Sequence, residues 1–160
     1  MKKKLELEES EARGIYKTAS PEFKKVLENT FGKEFFKMSV EDRVFSIEDA
    51  ITETGRPSVP DFDCIPTDLR DFFKSVYKCI VITEAFNEGE RIDIYNSEKR
   101  RHYPYFLNNG SASAFGLHAT CFDSTFSDAG SGSRLSLLKS DNAKVVGERF
   151  KNEFRDMLSL

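Results

Sequence analysis

The side chains best equipped for binding chemistry lie in one run, Lys99-Arg100-Arg101-His102-Tyr103-Pro104-Tyr105-Phe106. Cations beside aromatics are what phosphate contact plus base stacking require. Lys99, Arg100 and Arg101 would meet phosphate, while Tyr103 or Tyr105 would stack on a base. The plainer alternative is a charged turn entering an aromatic strand, and these few basic side chains are a modest patch in a chain of net charge −3. A second anion-binding candidate is the loop Gly130-Ser131-Gly132-Ser133 with Arg134 behind it. It is neither a P-loop nor a nucleophile elbow, because a strand rather than a helix is expected to follow.

Other chemistry has thinner support. His102 and His118 fall on separate expected strands with the Asn109-Gly110 turn midway between them. Side by side across a hairpin they could bind a transition metal; as ordinary strand residues they would not, and no H-E-x-x-H or H-x-H spacing is present. The expectation is no bound metal and no cofactor. Ser75-Val76-Tyr77-Lys78 matches S-x-x-K, but in mid-helix and without the companion motifs that give the match meaning. Carboxylates gather at Asp61, Asp63, Asp68 and Asp71, and again at Glu84, Glu88, Glu90 and Asp93. The first set straddles a helix start, where the dipole favours acids. The second reads as a solvated helix face, with paired catalytic carboxylates as the sharper alternative. No residue is thereby marked as catalytic, and the chain leans away from being an enzyme.

The elements that must position these groups are punctuated by proline and glycine. Leu7 to Tyr16 forms a first helix; a second starts at Ser20-Pro21 and stops at Gly32, with Phe23, Val26, Leu27, Thr30 and Phe31 inward. Ser46 and Asp49 cap a short helix ended by Gly55. Pro57, Pro60 and Pro66 then break regular structure, dividing an N-terminal helical portion (1–58) from an α+β portion (59–160), packed as one domain. A central helix from Thr67 to Asn87, roughly 30 Å long, presents Leu69, Phe72, Phe73, Val76, Ile80 and Phe86 on one face. Phe72, Phe73, Val76 and Ile80 are expected to pack on Phe150 and Phe154 or on the sheet between them. Weak alternation at Arg91 to Tyr95, an aromatic strand His102 to Leu107, alternation over Ala114 to Phe122 and a strand at Ser133 to Leu138 complete a small antiparallel sheet. A Gly/Ser/Asp loop spans 123–132, and a last helix, capped by Ser140 or Asp141 and carrying an Arg149–Glu153 pair, covers the sheet. The fold class is α+β.

Composition bounds the setting. A length of 160 residues suits one domain, and its core rests on 15 Phe and 5 Tyr with no Trp. Twenty-four basic against 27 acidic side chains give no overall drive towards nucleic acid or anionic lipid. Cys64, Cys79 and Cys121 are odd in number and form no C-x-x-C pair, which points to a reducing cytoplasm. The lysines after Met1 lead into no apolar run, so no export signal and no membrane span are expected.

Several segments carry a resemblance. They are Asp42-Arg43-Val44-Phe45-Ser46-Ile47-Glu48-Asp49-Ala50, Ala85-Phe86-Asn87-Glu88-Gly89, Tyr103-Pro104-Tyr105-Phe106, and Gly132-Ser133-Arg134-Leu135 ahead of Lys139-Ser140. Together, from about Ser20 to Met157, the chain resembles a group of small proteins encoded by phages and mobile elements of gut Bacteroidetes. That group brings no known reaction or catalytic residue. Where it is associated with Cys-Phe before the Lys-Ser, Ser136-Leu137-Leu138 stands here. The resemblance implies a phage or mobile-element origin, and the leading expectation is a non-enzymatic accessory protein that acts by binding a phage or host protein, either a virion or assembly component or a host-directed factor, in the host cytoplasm or associated with the virion. The alternative is a small nucleic-acid-binding protein using the basic-aromatic strand, and a third is an enzyme of unrecognised type.

Overall fold

Caps and stops define the helices of the computed structural model, which describes residues 7–124 and 133–159. Helix α1 spans Glu9–Thr18 and α2 spans Pro21–Phe31; Ser20 caps α2 by accepting the Phe23 N–H at 3.3 Å. Helix α3, Ile47–Thr54, opens with a reciprocal Ser46/Asp49 capping box and closes at Gly55 in the left-handed region (φ +64°). Helix α4 runs Thr67–Phe86. On α2 only Leu27 is buried, and Val26, expected inward, is exposed. The contact there is narrow, made by Tyr16 stacked on Phe36 at 4.1 Å and Phe31 on Phe35 at 5.3 Å.

Strands β1 (Arg101–Leu107) and β2 (Gly116–Asp123) form an antiparallel pair, with an irregularity after Tyr105 that places Phe106 opposite Leu117. Six α-helices with this two-stranded sheet make the described residues an α+β fold. Two expected strands do not form. At Arg91 to Tyr95 the Asp93 side chain accepts the Tyr95 N–H at 2.9 Å, a local turn that competes with a ladder. At Ser133 to Leu138 a 3₁₀ turn, Ser133–Leu135, leads to a single bridge between Leu137 and His102. The far side of that segment is met by a side chain: Asn87 donates to Ser136 O at 2.9 Å and accepts from Leu138 N–H at 3.0 Å. The loop expected over 123–132 lies, from residue 125 onward, outside the described residues.

The last helix is two helices, α5 (Ser140–Arg149) and α6 (Lys151–Ser159), broken at Phe150. Lys139, not Ser140 or Asp141, holds the cap position of α5 and makes no side-chain cap bond. Arg149 forms no pair with Glu153; it donates to the carbonyls of Glu41 at 2.7 Å and Val44 at 2.6 Å. Gly147 lets α5 lie directly on the hairpin, since an added Cβ would sit 2.5 Å from Leu117 and 2.7 Å from Pro104.

The core gathers Val40, Val44 and Ala50, then Cys79, Val81, Ile82 and Phe86, then Leu137, Ala143, Val146, Phe150 and Phe154. Residues from both sides of the proline-rich stretch therefore share one cluster. The seam of α4 is Ser75, Cys79, Ile82 and Phe86, and Phe86 meets Phe150 edge to face at 6.0 Å. This corrects the expectation that Phe72, Phe73, Val76 and Ile80 would pack on Phe150 and Phe154 or on the sheet between them, since none of the four belongs to the core cluster or packs against it. Residues 79–82 are apolar all round the helix, so periodicity alone could not choose the seam; α5 and α6 did.

Burial, with Glu153 nearby, pushes the Cys79 thiol up to about 12, whereas Cys64 is exposed. Thiolate is the reactive form. Under native conditions an alkylating reagent is therefore expected to modify Cys64 promptly and Cys79 only on unfolding. Peptide mass spectrometry over time reads this, and equal labelling rates would show that Cys79 is not shielded. No described helix is long and apolar enough to cross a membrane.

Candidate binding groove along the central helix

Leu69, Phe72, Phe73, Val76 and Ile80 recur at three- and four-residue spacing, so they share one side of α4. Leu69 is 43% exposed and Phe73 39%, and Phe72, Val76 and Ile80 are half-buried. This side lies about a quarter-turn round the helix from the Cys79–Ile82–Phe86 seam. Its neighbour is the loop before α4. Phe62 adopts φ +57°, costly for a bulky residue, and brings its ring to 6.0 Å from that of Phe73. Tyr77 donates to Pro57 O at 2.7 Å, and Arg70 donates to Ile65 O at 3.2 Å and to Asp63 Oδ1 at 2.9 Å. The loop is thus pinned beside the stripe without closing over it.

At Ile80 the stripe enters a cleft of about 130 Å³, whose other walls include Thr83, Asn87, Ile92, Arg91 and Arg134. Two carboxylates also line it, and both are neutralised. Glu84 receives a bidentate pair from Arg56, both bonds 2.9 Å, and Glu90 pairs with Lys99 at 3.0 Å. Arg91 and Arg134 are exposed, and neither makes a hydrogen bond or ion pair to a described residue. The cleft is consequently a cationic end to an apolar stripe.

The residues singled out from the sequence scatter. Arg134 lines the cleft, and Lys99 reaches it only through Glu90. Arg100 stacks over Phe122 at 4.4 Å. Arg101 is 3% exposed and donates to Ile94 O at 3.3 Å, fastening the 91–97 turns to β1. Tyr103 is half-buried, and Tyr105, 52% exposed, lies 6.2 Å from the His118 ring. The two histidines are not paired across the hairpin: His102 stands opposite Phe122, and His118 falls in the irregularity next to Tyr105. Burial first, then the neighbouring Arg100, holds the His102 imidazole below its ordinary range. The Ser75 hydroxyl donates to Asp71 O within α4. Among the described residues no three His, Cys, Asp or Glu side chains gather as metal ligands. The glycines of the 130–132 loop lie outside the described residues.

Phe62, Arg91 and Ile92 were not legible as site residues. A phenylalanine between Asp61 and Asp63 reads as loop, and the Arg91–Ile92 pair reads as the start of a strand. No protein-family model, curated protein or solved structure matches the chain.

Proposed function

We propose that this is a non-enzymatic accessory protein that acts by binding another protein. The observation that carries this reading is the apolar stripe of α4, left half-exposed and running into a cleft whose Arg91 and Arg134 have no partner among the described residues. A contiguous apolar face on a folded surface marks an interaction site more often than it marks wasted core. Aromatic side chains with a neighbouring arginine are also what interface hot spots are made of. The motif resemblance supports a phage or mobile-element setting, with a phage or host protein as the partner.

The test places a photo-crosslinking residue at position 73 and, as control, at position 122, in cells carrying the native element. The expected result is one discrete protein adduct from position 73 that position 122 does not give. Equal adducts from both positions would overturn the reading. So would labelled single-stranded RNA or DNA binding that survives physiological salt and is lost in Tyr105→Ala, which would favour the basic-aromatic strand instead.

A further inference from the structure

We infer that the occupant of this groove is an amphipathic α-helix whose acidic N-terminal turn sits on Arg91 and Arg134, docked antiparallel to α4. The inference rests on the reading of the groove as a protein-binding site and adds the chemistry of the partner.

The stripe sets the form of the ligand. From Leu69 to Ile80 it follows one side of α4 for about 17 Å, at 1.5 Å per residue, before Thr83 and Asn87, polar and buried, floor the cleft. An apolar row of that length, walled on one side by the 57–65 loop, is matched by a second helix bearing apolar residues at three- and four-residue spacing. Phe72 and Phe73 at the open end give deep, rigid contacts, and Ile80 and Ile92 continue the apolar floor into the cleft.

Charge sets the direction. Glu84 and Glu90 already hold Arg56 and Lys99, and among the described residues Arg91 and Arg134 are the cleft charges without a partner. At the other end, Asp68 and Asp71 are exposed around Leu69. A ligand with acids at the cleft end is attracted there, and one with acids at the Leu69 end is repelled. Helices favour acids in their first turn, where the dipole is positive. The cleft lies at the C-terminal end of α4, so the ligand's N-terminus comes to that end and the two helices run antiparallel.

The probe is a synthetic amphipathic helical peptide of about five turns, leucine on one face and a Glu pair in its first turn; its counterpart carries a Lys pair there. Binding is read by fluorescence anisotropy, and the site by backbone amide shifts. On the wild-type protein the Glu peptide is expected to bind roughly tenfold more tightly than the Lys peptide at low salt. The preference should shrink as salt rises. On the Arg91→Glu/Arg134→Glu protein it should invert; both positions are exposed, so a matching melting curve checks that the variant is folded. Peptides that shift the stripe amides with the same preference on both proteins would overturn the acidic-end inference while leaving the groove as a binding site. Failure of either peptide to shift those amides would overturn both readings. A concentration-dependent dimer abolished by Phe73→Ser would assign the groove to a second copy of this chain, again overturning the inference.

Discussion

Phe150→Ala is expected to cost about 3–5 kcal/mol of folding stability, whereas Phe73→Ala should cost roughly 1 kcal/mol or less. The two side chains are chemically identical and differ in surroundings. Phe150 is 2% exposed and sits at the break between α5 and α6, its ring 6.0 Å from Phe86 and its neighbours Val146 and Phe154 also buried. Truncation there removes an aromatic contact and leaves a cavity among packed elements that have little room to collapse. Phe73 is 39% exposed, with its ring beside those of Phe62 and Phe72. Its truncation returns surface to water that was never far from it. Urea unfolding of the two variants, with unchanged slopes, makes the comparison. Equal costs would mean that the α4 stripe is core and that no groove exists.

The same contrast shows what could be read from the chain and what could not. Helix ends were legible because they are local: Ser20-Pro21, Ser46 with Asp49, and Gly55 act through backbone groups a few residues away. The apolar side of α4 was legible as a side, but its use was not. Leu69 to Ile80 and Cys79 to Phe86 are both apolar, and only the placement of α5 and α6 decides which is buried. The strand from Arg101 to Leu107 was legible from its aromatics, yet the role of its cations was not, because Arg101 is used to anchor Ile94. Asn87 was invisible as a clasp: its two bonds reach residues 49 and 51 positions away. Of the cleft, Arg134 was singled out as an anion ligand, but its company with Arg91 depends on a contact between the end of α4 and the 133–135 turn.

Arg43→Met is expected to be as damaging as a core truncation, about 3–5 kcal/mol. Its guanidinium is 9% exposed and makes a bidentate pair with Glu53, at 3.1 and 2.6 Å. It also donates to Met38 O at 2.5 Å and approaches Glu88 at 3.5 Å. Glu53 is itself only 15% exposed, so removing the arginine strands a carboxylate out of water. Two further features depend on the same cation. Glu88 holds φ +50°, an uncommon conformation for a residue with a side chain, at the turn that leads α4 into the cleft. Lys17 of α1 lies 3.8 Å from the same carboxylate, so α1, α3 and the end of α4 meet at this node. Glu53→Gln should also destabilise, by leaving the buried arginine short of an acid. The Arg43→Met/Glu53→Met double variant should recover most of the loss, because the larger part of each single cost is the stranded charge rather than the lost attraction. A double-mutant cycle by urea unfolding measures this. Additive costs would mean that Arg43 and Glu53 act independently, and single costs below about 1 kcal/mol would mean that water reaches the pair.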